Sequence, residues 1–271
     1  MILEKIVDFF WYYVMNLRKY EKKLSKYQGY GNRTIVAFKR ENNLEWNTIN
    51  KILKKLVIID GLELRNRLRE LYKENQELFD DPKTYISHFG PVGKSGGFIL
   101  NQFSHCFPGK ATQLIDSTKV SKLTDNSNVI FLDDFIGTGQ QGIDFIKVLG
   151  YSLNSSTKPY LFAICGTQKG IKKINDYNSK FKIRTSLVFD KPDDFLLEKD
   201  SQTLTAKEKK TIRDFHSLIG FEQNNKYHLG LPLAFFYSTP DNSLGILWND
   251  KNPYEMNGIK KEWYGLIPRK Y

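Results

Sequence analysis

The 271-residue sequence has two cysteines and no long apolar run. Cys106 and Cys165 are too few for a disulfide scaffold, and they suit a reducing compartment. A bilayer-spanning helix needs about 20 consecutive apolar residues, and no stretch approaches that length. The start of the chain resembles no export signal, because Glu4 and Asp8 interrupt it with acidic charge. We therefore expect a cytoplasmic protein without membrane association.

Histidine is also scarce, with four residues in the whole chain. His88, His105, His216 and His228 are not spaced as pairs of metal ligands, and His105 is followed directly by Cys106. Neighbouring side chains of this kind do not face one ion comfortably. The sequence therefore predicts no metal bound directly by protein side chains.

Positive charge is what the sequence has in excess. Lys and Arg number 41 against 30 Asp and Glu, which gives a formal net charge of +11. Such a charge favours anionic partners such as nucleic acid, nucleotides or acidic lipid. The segment from Lys169 to Arg184 is rich in cations, and it forms either a solvated face or a nucleic-acid surface.

Residues 1–80 have helical periodicity. Near the start, Ile6, Phe10 and Val14 recur at helical spacing, which favours a buried or dimer-forming helix over membrane association. We predict a short strand at 33–40 and further helices at 44–56 and 61–79. This helical N-terminal region would be a hood, a partner-binding part, or a reader of DNA or RNA.

Residues 81–271 have a different pattern, in which short apolar strands alternate with helices. This alternation predicts an α/β domain with a largely parallel sheet, which binds ligands outside the carboxyl ends of its strands. The predicted strands are 85–89, 129–132, 160–165, 185–189 and 233–237, and the predicted helices are 98–106, 141–149, 169–177 and 205–218.

The most informative segment is NVIFLDDFIGTGQQG at residues 128–142. A buried strand leads to Asp133 and Asp134, and the tight loop Gly137–Gly139 precedes a helix. Backbone N–H groups at a helix N-terminus form an anion cradle, which the hydroxyl of Thr138 can extend. The carboxylates repel phosphate but accept hydrogen bonds from sugar hydroxyls. We therefore expect a ligand whose phosphate lies one ribose length from a diol.

This segment resembles the phosphoribosyl pyrophosphate (PRPP) motif of type I phosphoribosyltransferases. The resemblance implies the α/β fold of that family, a mostly parallel sheet flanked by helices. It implies that Asp133 and Asp134 bind the ribose 2′- and 3′-hydroxyls as the catalytic pair. Mg²⁺ is expected with PRPP, held mainly through the ligand. The phosphate-binding residues would be Gly137, Thr138, Gly139, Gln140 and Gln141.

The loop departs from the family pattern at two positions, and Phe135 before it is bulkier than the usual aliphatic residue. Gln141 stands where the loop usually ends in Thr or Ser, and Gly137 stands where purine-salvage members carry an acidic general base. Backbone phosphate binding survives both changes. Two hypotheses stay open: phosphoribosyl transfer or other N-glycosidic chemistry on a nucleotide, and a non-catalytic PRPP or nucleotide sensor.

A second glycine-rich loop, GPVGKSGG, occupies residues 90–97. It is not a nucleotide P-loop, because His88 stands where that motif needs its first glycine. Type I phosphoribosyltransferases bind pyrophosphate with an early, short glycine-rich loop. The resemblance assigns this role to Lys94, Ser95, Gly96 and Gly97, with Lys94 neutralising charge on the leaving group.

Two further segments carry narrower resemblances. Residues 187–195 resemble the purine-contacting loop of hypoxanthine–guanine phosphoribosyltransferases, which would bring Asp193 to the base; a proline turn after a strand is the alternative. Ser186 stands where that family has a stacking aromatic, which disfavours simple purine salvage. Residues 235–250 and 262–271 resemble the phosphoribosyltransferase-like family of prokaryotic conflict systems, including antiphage and retron-encoded ones.

Taken with the charge, these motifs predict a PRPP- or nucleotide-binding protein of that family. As an antiphage effector it would act with nucleic acid or with an operon-encoded protein partner. A homo-oligomer through the first helix is also predicted. The alternative to glycosyl transfer is a sensor or a nucleic-acid-binding regulator.

Overall fold

The computed structural model describes residues 2–28, 30, 34–42, 44–91, 93–123, 126–150, 153–221, 227–249, 253–256, 259–262 and 265–268. The chain forms two compact units, Gly61–Asp190 and a second unit made of Met1–Asp60 with Lys191–Tyr271. The two regions expected from the sequence, 1–80 and 81–271, differ from these units, and that division of the chain stays a prediction.

Helices and strands are numbered in chain order. The helices are α1 (Ile2–Val14), α2 (Glu21–Leu24), α3 (Ile35–Asn42), α4 (Trp46–Lys55), α5 (Gly61–Glu74), α6 (Gln76–Asp80), α7 (Ser95–Cys106), α8 (Gln140–Gly150), α9 (Gln168–Tyr177), α10 (Ala206–Leu218) and α11 (Gly245–Trp248). The strands are β1 (Val57–Ile59), β2 (Thr84–His88), β3 (Asn128–Ile136), β4 (Lys158–Thr167), β5 (Lys182–Phe189), β6 (Leu233–Phe235), β7 (Pro253–Met256) and β8 (Ile259–Glu262).

The unit Gly61–Asp190 is built on a parallel sheet with the strand order β2-β3-β4-β5. Its central strands are apolar along almost their whole length and buried, as expected for strands covered by helices on both faces. The register pairs Ile86 with Ile130, Phe131 with Leu161, and Leu161 with Ile183. This confirms the predicted α/β fold with a parallel sheet flanked by helices.

Close helix packing fixes the loops at the carboxyl edge of this sheet. Ile143, Ile146 and Leu149 of α8 join the core that Phe131 of β3 helps to form. A side chain at Gly142 of α8 would collide with Ile174 of α9, so the glycine lets these two helices approach each other. The segments after β2, β3 and β4 therefore begin from well-anchored positions.

The other unit has its own core, formed by α1–α4, α10 and the C-terminal segments. Strand β1 pairs in parallel with β6, and β7 pairs with β8 in antiparallel fashion. The predicted strand 233–237 is therefore real but short, and it pairs with β1 rather than with the four-stranded sheet. Tyr27 donates a hydrogen bond to the carbonyl oxygen of Pro268, which ties the first sixty residues to the end of the chain.

Two predictions about the N-terminal region need correction. The segment 33–40, predicted as a strand, is wrong: its described part belongs to helix α3, and Thr34 caps it by accepting a hydrogen bond from the Ala37 amide at 3.0 Å. The predicted helix 61–79 is two helices, because the Asn75 side chain donates to the Leu71 carbonyl oxygen and the chain turns there. None of the helices that the structure describes has the length and apolar content needed to cross a membrane.

Candidate functional site

Two neighbouring carboxylates lie near the carboxyl end of β3. Asp133 is buried, and its Oδ1 accepts a hydrogen bond of 2.9 Å from the backbone amide of Asp134. Burial, reinforced by the negative charge of Asp134, raises the pKa of the Asp133 carboxyl well above its usual value. Hydrogen-bond donors or a positive charge that a ligand brings to this carboxyl group would therefore favour its ionised form.

The predicted phosphate loop follows directly. Gly139 has a φ of +77°, and a Cβ there would lie 2.6 Å from the carbonyl oxygen of Gly170. Only glycine combines that conformation with so close an approach. The Gln140 amide approaches Thr138 Oγ1 at 3.5 Å, and α8 begins at Gln140. The loop thus leads into a helix N-terminus, the backbone arrangement that binds anions.

Thr167 at the end of β4, with Gly170 and Lys173 of α9, forms a clamp on this loop that the sequence analysis did not find, called the α9 clamp below. Thr167 Oγ1 donates to the carbonyl oxygen of Gly137 at 2.6 Å and accepts from the Gly170 amide at 2.9 Å. Lys173 Nζ also donates to Gln140 Oε1 at 2.9 Å. Threonine after an apolar strand and before a helical pattern is an N-cap signal, and that signal marks Thr167 in the sequence.

The second glycine-rich loop reaches the acidic pair. Ser95 is the first residue of α7, and its hydroxyl donates to Asp133 Oδ1 at 2.9 Å. A Cβ at Gly96 would collide with the backbone of Phe89, so this glycine lets α7 start against the end of β2. The structure therefore brings two predicted site segments together, although 38 residues separate Ser95 from Asp133.

The rest of the second loop leaves room around it. Lys94 is exposed, and nothing lies within 4 Å of a Cβ placed at Gly97. Residues 93–97 also match the Gly-x-Ser-x-Gly pattern of serine hydrolases. That elbow requires a histidine to activate the serine, whereas the Ser95 hydroxyl here donates to the carboxylate of Asp133.

Asp193 lies in the other unit. Its Oδ1 accepts hydrogen bonds from the Gln202 amide at 2.6 Å and from the Thr203 amide at 3.1 Å. The Gln202 amide bond is the largest influence that lowers the pKa of Asp193. These bonds organise the turn at residues 201–203. The predicted contact between Asp193 and a base stays a prediction.

The sequence analysis did not predict two contacts made by Cys165 of β4 and Ser186 of β5. Cys165 is fully buried, with Sγ 3.7 Å from the carbonyl oxygen of Asp134, and burial raises the pKa of its thiol well above the usual value. Arg67 of α5 donates to Ser186 Oγ at 3.2 Å and pairs with Glu63 at 2.6 Å. Helix α5 is thereby fixed to the strand that carries Ser186.

The strand order and the covering helices define a phosphoribosyltransferase-like α/β protein. The model of the PRTase-CE family, in which PRTase abbreviates phosphoribosyltransferase, matches residues 30–269. Because this match covers most of the 271 residues, the chain belongs to the PRTase-CE family. The predicted membership of a phosphoribosyltransferase-like family is thereby confirmed. No curated protein matches the sequence.

Several solved structures are similar to this chain at low identity. The orotate phosphoribosyltransferase from Aeropyrum pernix is 14% identical over 48% of this chain and 72% of that chain, with a TM-score of 0.34. The adenine phosphoribosyl transferase from Trypanosoma brucei, in complex with AMP, pyrophosphate and ribose-5-phosphate, is 18% identical over 56% and 78%, with a TM-score of 0.33. The xanthine-guanine-hypoxanthine phosphoribosyltransferase from Helicobacter pylori is 11% identical over 49% and 85%, with a TM-score of 0.33.

Proposed function

We propose that this protein binds PRPP or a nucleotide at the carboxyl end of β3 and transfers or releases the phosphoribosyl group. The observation that carries the proposal is the 2.9 Å hydrogen bond from Ser95 Oγ to Asp133 Oδ1. It joins the second glycine-rich loop to the carboxylate that stands four residues before the first one. The loop 137–141 would bind the 5′-phosphate through backbone N–H groups, and the loop 94–97 would bind the pyrophosphate.

The acidic pair would act on the sugar. In the transfer, the bond from ribose C1 to the pyrophosphate oxygen breaks, and pyrophosphate leaves with the electron pair. A bond from C1 to an acceptor nitrogen forms, and that nitrogen loses its proton to solvent or to the departing pyrophosphate. Positive charge develops at C1 meanwhile, and the carboxylates of Asp133 and Asp134 favour it electrostatically. Sugar hydroxyls would donate to the same carboxylates and hold the ring in place.

The donor set fits magnesium. Asp133 and Asp134 offer carboxylate oxygens, and Mg²⁺ is commonly held by one or two carboxylates together with substrate phosphates. Among the described residues no group of three His, Cys, Asp or Glu could hold a metal. We propose that oxygens of the pyrophosphate and the ribose supply most of the ligands. When bound, the ion would neutralise charge on the leaving group, as Lys94 would from the protein side.

Binding and turnover can be tested in the same sample. Titration calorimetry with PRPP and Mg²⁺ measures affinity, and a coupled assay follows pyrophosphate release with nucleobases as acceptors. Asp134→Asn should weaken binding at least about tenfold, because it removes a charged acceptor, equivalent to about 1.4 kcal/mol. The matched control is Asp176→Asn, which changes an exposed acid on α9. Equal affinity in the wild type and Asp134→Asn would contradict the site assignment.

A sensor is the second candidate function. Gly137 begins the loop and offers no acidic side chain, and its carbonyl oxygen is held by Thr167. A protein that binds PRPP tightly without releasing pyrophosphate would use the same site to change its association with a partner. Binding without release, for every nucleobase and nucleotide offered, would favour the sensor over the enzyme.

Exposed cations favour a nucleic acid as the macromolecular partner of either function. One exposed face of α9 carries Lys169, Lys172 and Lys173. Tyr177 at the end of this helix is 48% exposed, and Lys147 Nζ lies over its ring. Cations track phosphates, and an exposed aromatic ring can stack on a base. Affinity for a single-stranded oligonucleotide should fall steeply with salt. An affinity that does not change with salt concentration would contradict a nucleic-acid partner.

The resemblance of residues 235–250 and 262–271 to conflict-system proteins suggests the biological setting. Within the described part of these segments, Ser243 Oγ donates to the Leu233 carbonyl oxygen at 2.6 Å and Thr239 Oγ1 to the Ile267 carbonyl oxygen at 3.0 Å, so both help to close the core. We propose a cytoplasmic antiphage effector that works with an operon-encoded partner, including the retron type. Phage plating on cells that express the operon with wild type or with Asp134→Asn tests this, since equal plating would contradict an effector that depends on the site.

A further inference from the structure

Helix α1 presents a broad apolar face that the described part of its own unit does not cover. The exposed fractions of its side chains range from 44% for Trp11 to 61% for Ile6 and Phe10. Monomeric proteins rarely expose apolar patches of more than a few hundred Å². The residues of this α1 patch are Ile6, Val7, Phe9, Phe10, Trp11, Tyr13 and Val14.

The opposite side of α1 is firmly attached. Asp8 is buried and pairs with Lys39 Nζ at 3.1 Å and Arg40 Nε at 2.9 Å. Tyr12 is also buried, and its hydroxyl donates to Glu21 Oε1 at 3.0 Å. These contacts fix the rotation of the helix about its axis. The α1 patch therefore faces outward. Rotating the helix to turn the patch inward would separate the buried carboxylate of Asp8 from Lys39 and Arg40.

We propose that the α1 patch binds the same patch of a second copy of this chain, in a two-fold symmetric dimer. Fully exposed Phe, Tyr and Trp side chains offer about 150–250 Å² each, so the four aromatics of the patch expose roughly 300–500 Å². Three aliphatic side chains extend this towards the ~800 Å² that each partner contributes to a stable interface. A self-complementary patch on one helix meets the geometric requirement of a two-fold interface.

The lack of cations from Ile6 to Val14 favours a protein partner over a lipid surface. Helices that lie in a membrane interface carry Lys and Arg on their polar face, where they meet anionic lipid. Between Ile6 and Val14 the only charged side chain is that of Asp8, which is occupied by Lys39 and Arg40. This stretch of α1 thus offers a membrane no cation, whereas an uncharged aromatic surface suits another copy of itself.

Sedimentation velocity at protein concentrations from about 1 to about 100 μM tests the proposal, a range that brackets ordinary dimer affinities. The wild type should sediment as a dimer, and Phe10→Glu/Val14→Glu should sediment as a monomer with unchanged circular dichroism. The matched control is Val148→Glu, because Val148 on α8 is 71% exposed. It should remain dimeric.

A cross-linking experiment tests the proposal even if the double variant fails to fold. Under mild oxidation Phe10→Cys should form a disulfide-linked dimer, and Val148→Cys should not. A wild type that stays monomeric at the highest concentration would overturn the proposal. A monomer that co-floats with phosphatidylcholine vesicles containing phosphatidylglycerol would overturn it in favour of a membrane surface. Equal cross-linking of both cysteine variants would overturn it as well.

Discussion

Ser95 and the amide of Asp134 donate to the same carboxylate oxygen of Asp133, each at 2.9 Å. One bond comes from the start of α7, and the other from the strand itself. Both favour the ionised form of a carboxyl group whose burial favours the neutral form. Burial and these two hydrogen bonds therefore act in opposite directions on the pKa of Asp133, and a ligand that brings hydroxyls and a cation would favour its ionised form.

Ser95→Ala should weaken the binding of PRPP with Mg²⁺ about tenfold, since a hydrogen bond to a charged group contributes about 1.5–3 kcal/mol. The loss removes an influence that lowers the pKa of Asp133, so that pKa rises further. The affinity of the variant should therefore increase more steeply with rising pH than that of the wild type, which titration calorimetry at a series of pH values measures. The control is Ser104→Ala, also on α7, whose hydroxyl donates to Asn101. An unchanged pH profile in Ser95→Ala would mean that this bond does not tune the carboxylate.

Asp133→Asn should stabilise the protein while it weakens ligand binding. The amide oxygen keeps both accepted hydrogen bonds, and the buried charge beside Asp134 disappears. Because the pKa of Asp133 is raised in the folded state, its ionisation lowers the free energy of unfolding as pH rises from about 4. At neutral pH the melting temperature should rise by roughly 2 °C or more, the shift that ~1 kcal/mol gives in a domain of this size. A lower melting temperature with unchanged ligand affinity would contradict both roles given to Asp133.

The strand, loop and helix of the β3 segment could be predicted from the sequence because all of the signals for them are local. An apolar strand, two acids, glycines and a helix follow one another within fifteen residues, and each acts on its neighbours. The α9 clamp and the Ser95 contact join residues about thirty or more positions apart, and no local pattern encodes such pairs. The strand predicted at 33–40 was wrong for a different reason. The sequence TIVAF at residues 34–38 is compatible with a strand or a helix, and the Thr34 cap together with the surrounding packing favours the helix.

Gly170→Ala tests the α9 clamp. A Cβ at this position would collide with the carbonyl oxygen of Gly137 and lie 3.1 Å from the Gly139 amide nitrogen. Since both contacts are backbone atoms of the candidate phosphate loop, the loop must move. The free energy of unfolding should fall by about 1–3 kcal/mol, the usual result of overpacking, and PRPP affinity should fall with it.

The control for the clamp is Gly150→Ala, because a Cβ at that end of α8 meets open space. Its stability and affinity should match the wild type or exceed it slightly, since alanine favours a helix. Chemical denaturation and calorimetry measure the two quantities. Full ligand affinity in a destabilised Gly170→Ala would show that loop position and binding are independent, which contradicts the clamp.

Two neighbouring histidines, His216 buried and His228 partly buried, should make the stability of the protein depend on pH in mildly acidic solution. The rings of His216 and His228 are 5.0 Å apart, and His216 Nε2 accepts from the Ile246 amide at 3.2 Å. Burial lowers the pKa of His216 to about 3 and that of His228 to about 4. In this pH range the two histidines are protonated in the unfolded chain but stay neutral in the folded protein. The free energy of unfolding therefore falls as pH drops from about 6.5 towards 4.

His228→Phe isolates one of these protons while it keeps an aromatic ring in place. Each histidine that is protonated only in the unfolded chain changes the free energy of unfolding by about 1.4 kcal/mol per pH unit, between its pKa in the folded protein and its pKa in the unfolded chain. The slope of unfolding free energy against pH should therefore be less steep in the variant by about that amount, between about pH 6 and about pH 5. Denaturant unfolding at a series of pH values measures the slope, and His105→Gln, at an exposed histidine of α7, should leave it unchanged. Identical slopes in the wild type and His228→Phe would mean that His228 is charged, or solvated, in the folded protein.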